Sequence, residues 1–148
     1  MIDTTTISEI LEAKGSNVYS VTPETTVFDA IKTMAEKNIG ALAVVDAGRL
    51  IGILSERDYT RKVVLQGKSS KSTQVREIIS GGIISVTPEH TVEDCLRLMT
   101  NHRVRHLPVL VNGQLAGLVS IGDLVNSVIS AQRAAIEQLQ VYIGGVPG

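Results

Sequence analysis

The stretch Ser20-Val21-Thr22-Pro23-Glu24 recurs unchanged as Ser85-Val86-Thr87-Pro88-Glu89, 65 residues further along the chain. The same offset, with no gap, carries Val27 onto Val92, Asp29 onto Asp94, Met34 onto Met99, Leu42 onto Leu107 and Val44 onto Val109. It also carries Gly48 onto Gly113, Gly52 onto Gly117, Ser55 onto Ser120 and Asp58 onto Asp123. A chain that repeats itself in register is expected to fold as two copies of one unit related by a pseudo-two-fold axis. A unit of about 60 residues buries too little surface to stand comfortably alone, so the two sheets are expected to pack on each other and leave a cleft at their junction.

Each copy reads β-α-β-β-α. A short apolar stretch (Val18 to Val21; Ile83 to Val86) ends at Thr-Pro, where proline cannot continue a central strand. Val27, Ala30, Ile31 and Met34 then stand at i, i+3, i+4 and i+7, and Val92, Cys95, Leu96 and Met99 repeat the spacing, which predicts one apolar face of a helix. Two apolar runs follow in each copy, around Asp46-Ala47-Gly48-Arg49 and around Asn112-Gly113, and the second is a strong hairpin signal. A further helix starts after Ser55 and after Ser120. The fold class expected is α+β. An N-terminal helix (Ile7, Ile10, Leu11) and the first repeat span 1–66, a polar linker with a short helix at Val75 to Ile79 spans 67–82, the second repeat spans 83–130, and a helical extension and tail span 131–148. The stripe Leu124, Val125, Val128, Ile129, Ile136, Leu139 and Ile143 makes the last helix long, with a stop near Gly144-Gly145. Such a stripe needs cover, and a second chain is the favoured one.

Composition narrows the function. With 43% hydrophobic and 20% charged residues the chain carries enough apolar surface for a core. A net charge of −1, one Phe and no Trp argue against nucleic acid as a partner. No apolar run approaches the ~20 residues of a membrane span, and the N-terminus lacks the pattern of a secretory signal, so a cytoplasmic setting is expected. Cys95 is the only cysteine and lies on the apolar helix face, where it reads as a core residue. The three histidines lack metal-ligand spacing, and no metal site is expected.

The segments Gly52-Ile53-Leu54-Ser55-Glu56-Arg57-Asp58 and Gly117-Leu118-Val119-Ser120-Ile121-Gly122-Asp123 share Gly, two apolar residues, Ser, two variable residues and Asp. Ser-x-x-Asp before an apolar run is a capping box with Asp in place of the usual Glu or Gln. The same geometry serves ligand binding, since a strand-to-helix turn presents backbone N–H groups to a phosphate and a carboxylate accepts both hydroxyls of a ribose. The two readings are compatible.

These segments, the two Val-Thr-Pro-Glu openings and Val104-Arg105-His106-Leu107-Pro108-Val109 resemble the CBS domain, named after cystathionine β-synthase, and the chain looks like a stand-alone tandem CBS pair over about residues 15 to 130. Copy one departs from the family at Ala43, where a proline is usual. The resemblance implies a disc-like, often dimeric module that binds an adenosine compound in the clefts between repeats, with AMP, ATP or NAD as the expected ligand, no catalytic cofactor, and a regulated protein that the sequence does not name. Carried over, one site would use Ser55, Arg57 and Asp58 with Ile84, Arg105 and His106: Asp58 on ribose, the three cationic side chains toward phosphate, and the surroundings of Ile84 on adenine. The other would use Ser120, Gly122 and Asp123 with Val18, Tyr19, Gly40 and Ala41. Having Gly122 in place of Arg57 and Gly40-Ala41 in place of Arg105-His106, it is expected to bind weakly or to prefer less charge. No nucleophile, acid–base pair or triad stands out, so an enzyme is not expected. The competing reading is a structural dimeric interaction protein with vestigial clefts.

Overall fold

A computed structural model of the chain describes residues 4–15, 17–79 and 82–144, the last three of them by backbone alone. The elements run α1 (Ile7–Lys14), β1 (Ser20–Val21), α2 (Val27–Lys37), β2 (Ala41–Asp46), β3 (Arg49–Ser55), α3 (Glu56–Tyr59), a π-helical turn (Thr60–Val64), a 3-10 turn (Val75–Glu77), α4 (Val92–His102), β4 (His106–Val111), β5 (Gln114–Ser120) and α5 (Ile121–Gly144). The chain is α+β, as its pattern predicts. Gly145 and the side chain of Ile143 lie outside the described residues.

The helices form where the sequence punctuates them. Thr26 accepts from the Asp29 N–H at the head of α2, and Thr91 accepts from the Asp94 N–H at the head of α4. The buried faces are Val27, Ala30 and Met34 on α2 and Val92, Cys95 and Met99 on α4, matching the expected spacing. Both helices end on a left-handed residue, Asn38 and Arg103. The hairpins turn on Ala47-Gly48 and Asn112-Gly113, all four at positive φ, which is the two-residue type I′ turn.

Three details differ from the pattern. The first opening forms a strand only at Ser20–Val21, parallel to β2 with Ser20 opposite Ala43 and Val21 opposite Val44. The second opening, Ile83 to Val86, contributes a single bridging residue, Val86, and no strand, so β4 and β5 make a two-stranded sheet. Gly82, at φ 79, turns the chain just before it. After α3 the helix is not regular: α3 has four residues and gives way to the π-helical turn over Thr60–Val64.

The chain divides into two compact units, Ser16–Ser85 with Pro108–Leu118, and Met1–Gly15 with Val86–Leu107 and Val119–Gly148. The first holds a core of Val27, Ala30, Met34, Leu42, Val44, Leu54 and Val63, closed by Val75 and Ile78 from the 3-10 turn region. Gly52 is buried here, and a methyl group on it would meet Ile79 at 3.1 Å. The second unit buries Ile7 and Ile10 of α1, Val92, Cys95 and Met99 of α4, Leu107, Val119 and Leu124. In it α1 and α4 both pack on α5.

The segments leading into each repeat dock by one hydrogen-bond pattern. Val27 N–H donates to Thr73 O at 2.8 Å, Val75 N–H to Thr25 O at 2.8 Å and Arg76 N–H to Pro23 O at 3.0 Å. Val92 N–H donates to Thr5 O at 2.9 Å, Ile7 N–H to His90 O at 2.8 Å and Ser8 N–H to Pro88 O at 2.9 Å. The lead-in of repeat two thus clips onto the head of α2, and α1 clips onto the head of α4.

Candidate functional site

In the first repeat, β3 delivers Ser55 to the N-cap of α3. Asp58 Oδ2 accepts the Ser55 N–H at 3.0 Å and the Ser55 hydroxyl at 2.9 Å, and Ser55 Oγ accepts the Asp58 N–H at 3.2 Å. The box is complete, so the carboxylate is fixed on the turn rather than swinging on the surface. Because a two-residue hairpin returns β3 alongside β2, Ala41 stands opposite Ser55, and the Glu56 N–H donates to Gly40 O at 3.1 Å. Gly40, Ala41, Ser55 and Asp58 therefore meet at one strand-to-helix junction. Lys62, one turn beyond Asp58, places Nζ 3.6 Å from Asp58 Oδ1 and donates to Ile78 O at 2.9 Å. It also lines an open groove of about 340 Å³ with Gln66, Lys68, Glu77, Ile78 and Ile79. Arg57 is exposed and Ile84 half-buried. Val18 and Tyr19 lie in the extended lead into β1, where Tyr19 O accepts the Ala43 N–H at 3.3 Å and the Tyr19 ring faces Lys37 Nζ at 5.2 Å.

The second repeat builds the same junction. Asp123 Oδ2 accepts the Ser120 N–H at 2.8 Å, Ser120 Oγ accepts the Asp123 N–H at 3.1 Å, and the Ile121 N–H donates to Arg105 O at 2.8 Å. Arg105, exposed, and His106, half-buried at the start of β4, thus sit beside Ser120 and Asp123. A methyl group on Gly122 would meet only Ser120 Oγ, at 3.5 Å. The added partner is Lys14 from the end of α1, whose Nζ lies 2.7 Å from Asp123 Oδ2. Burial pushes the Asp123 carboxyl up, but the Lys14 ammonium and the Ser120 N–H together outweigh it and hold the group below its ordinary value. Asp123 is therefore an anion throughout the neutral range.

Each unit gathers its own Ser-x-x-Asp turn with its own pre-strand pair, Gly40-Ala41 or Arg105-His106. The family resemblance pairs each turn with residues of the other repeat, and those sets divide between the two units. Two cations escaped the sequence reading. Lys62 could have been found, because Asp and Lys at i, i+4 share a helix face. Lys14 could not, being 109 residues from its partner.

Chemically, each turn offers a fixed carboxylate with oxygens able to accept from paired hydroxyls, next to a backbone carbonyl and a lysine ammonium. No group of His, Cys, Asp and Glu among the described residues has metal-binding geometry. Cys95 is buried, and desolvation followed by the neighbouring Asp94 charge pushes its thiol up to about 11, so it is a thiol and not a thiolate at neutral pH. No helix among the described residues is long and apolar enough to cross a membrane.

The profile of the CBS domain matches residues 7–65 and again 75–130. A CBS domain-containing mitochondrial protein of Arabidopsis thaliana, CBSX3, is 43% identical over 152 residues, covering 97% of this chain and 74% of its own. A solved CBS-domain protein from Burkholderia ambifaria is 55% identical with a TM-score of 0.83, covering 86% of this chain and 96% of its own. The CBS domain pair of protein MJ0100, solved with 5'-methylthioadenosine and S-adenosyl-L-methionine, shares the fold at 22% identity and a TM-score of 0.74, over 82% of this chain and 98% of its own.

Proposed function

The chain belongs to the CBS-domain family, and we propose that it is a non-catalytic regulatory module that binds an adenosine compound through its two Ser-x-x-Asp turns. The observation that carries this reading is the duplication of a fixed carboxylate: Asp58 and Asp123 are each locked to the N–H of a serine three residues back, at the same strand-to-helix junction. A helix cap alone needs neither the flanking carbonyl of Gly40 or Arg105 nor a lysine ammonium. Adenosine compounds on the MJ0100 pair are in keeping with this chemistry, at an identity that speaks for fold.

In this proposal Ser55, Arg57 and Asp58 act with Ile84, Arg105 and His106, and Ser120, Gly122 and Asp123 act with Val18, Tyr19, Gly40 and Ala41. The aspartates take the ribose hydroxyls, the guanidinium groups and His106 take phosphate, and the apolar surroundings take adenine. AMP, ATP and NAD all fit that description. The setting is a cytoplasmic one, and a protein that reads the bound state is the target of regulation. Binding shifts such a module only by its differential affinity for two states.

A second reading, a dimeric interaction protein with vestigial sites, draws on α5. Val125, Ile129, Ile136 and Leu139 stay 42–59% exposed along it, an apolar stripe fit for a second copy of the chain. Thermal-shift assays with AMP, ATP, NAD and adenosine separate the two. A ligand at 100 times its dissociation constant adds about 2.7 kcal/mol of stability. A rise with at least one compound, reduced by Asp58→Asn or Asp123→Asn, supports the nucleotide module. No rise with any of them at millimolar concentration refutes it and leaves the structural reading.

A further inference from the structure

Alignment of the two repeats places Gly122 where the first has Arg57, so the second turn carries no cation of its own. The fold brings one from α1: Lys14 Nζ sits 2.7 Å from Asp123 Oδ2. That oxygen therefore accepts two donors, the ammonium and the Ser120 N–H at 2.8 Å. A carboxylate oxygen has about two acceptor positions, so Oδ2 is filled. A ribose cis-diol that engages both carboxylate oxygens must displace one of these donors. The Ser120 N–H is fixed where β5 passes into α5 and leaves only if the cap unwinds. The ammonium ends a flexible side chain that is 35% exposed, and it is the donor able to leave.

The first repeat meets the same demand differently. Asp58 Oδ2 carries the Ser55 N–H and the Ser55 hydroxyl, and a hydroxyl can rotate away without stranding a charge. Lys62 stands further off, 3.6 Å from the other oxygen. In the second repeat the group that leaves is a cation, and it needs a new counter-charge within reach of its side chain. A nucleotide phosphate supplies one, and a bare nucleoside does not.

We infer that Lys14 is the exchangeable counter-ion and a specificity determinant of the second repeat: the ligand's hydroxyls displace its ammonium from Asp123, and the ammonium then pairs with the anionic group of the same ligand. This rests on the nucleotide reading above. It makes the second turn selective for charged adenosine compounds, against the weak binding or low-charge preference that the resemblance implies.

The test is calorimetric titration of AMP and of adenosine into the full chain carrying Asp58→Asn, where Asp123 is the remaining carboxylate turn. AMP is expected to bind more tightly than adenosine. Adding Lys14→Met should lower the ratio of the two affinities by about tenfold, the scale of one hydrogen bond to a charged group. Lys14→Arg, which keeps the charge, should retain most of the ratio. Should Lys14→Met melt early, Lys14→Gln takes its place. If removing the charge changes both affinities by the same factor, Lys14 merely shields Asp123 and the inference is overturned. If the unmodified chain binds none of AMP, ATP, NAD and adenosine, the nucleotide reading fails and takes this inference with it.

Discussion

The two repeats share a backbone plan and differ in how they treat charge. Helix heads, type I′ hairpins, Ser-x-x-Asp turns and clipped lead-ins recur with matching hydrogen bonds. The cation beside each aspartate does not recur. Lys62 lies on the same helical run as Asp58, one turn on, and Lys14 reaches Asp123 from the far end of the sequence. Backbone features come from local rules of capping and turn geometry, so a duplicated sequence reproduces them. A long side chain answers to whatever lies near it in space, and the lead-in to the second repeat is a 3-10 turn where the first repeat's is an eight-residue helix ending in Lys14.

The largest expected effect tests whether the shared plan is also an energetic one. Leu42 and Leu107 occupy equivalent positions, and both are fully buried. Leu42→Ala and Leu107→Ala should each cost about 2–5 kcal/mol, the range of lost burial plus a residual cavity. Urea denaturation of both variants measures this directly. A cost at one position below half that at the other would break the equivalence and show that the repeats share geometry without sharing stability.

Much of that plan was legible in the residues. Val27, Ala30 and Met34 announced α2 through their spacing, Asn112-Gly113 announced its hairpin, and Ser55 and Ser120 announced their caps, because each is a local decision of a few neighbouring residues. What escaped depends on contacts distant in sequence. The apolar stretch Ile83 to Val86 reads like a strand, yet a strand also needs a partner edge along its length, and only Val86 bridges. The head of α1 reads as a helix start, and nothing local says that Thr6 will bridge to Thr91. For the same reason the serines and aspartates of the candidate site were found and the Lys14 counter-ion was not.

A middle-sized effect sharpens the contrast in charge. The folded protein holds the Asp123 carboxyl below its ordinary value, burial raising it and Lys14 and Ser120 more than offsetting that. A carboxylate whose pKa is depressed by folding stabilises the native state above its unfolded value and loses that contribution as pH falls through the folded one. The loss is thus expected below about pH 4. Asp123→Asn should cost about 1 kcal/mol at neutral pH and flatten the acid limb of stability, since a neutral amide has no proton to gain. Asp58→Asn, whose lysine lies 3.6 Å away against 2.7 Å for Asp123, should cost less. Chemical denaturation at pH 7 and pH 3 checks both, and an unchanged acid limb in Asp123→Asn would remove Lys14 from the account of this turn.

The smallest effect lies in the left-handed residues, where each repeat holds one well-suited side chain and one poorly suited one. The first ends α2 on Asn38 at φ 55 but turns its hairpin on Ala47 at φ 49, and the second turns on Asn112 at φ 52 but ends α4 on Arg103 at φ 54. Asparagine tolerates this region because its short polar side chain bonds the local backbone, whereas a plain Cβ crowds the neighbouring carbonyl. Ala47→Asn and Arg103→Asn copy into each repeat the residue the other already uses. Each should raise stability by about 0.5 kcal/mol, and the pair should add, since they act on separate turns. Arg103 is exposed and belongs to none of the proposed ligand sets, so its replacement should leave nucleotide affinity unchanged. A loss of affinity in Arg103→Asn would mean that the strained cation is kept for the ligand, a charge that its counterpart in the first repeat, Asn38, does not carry.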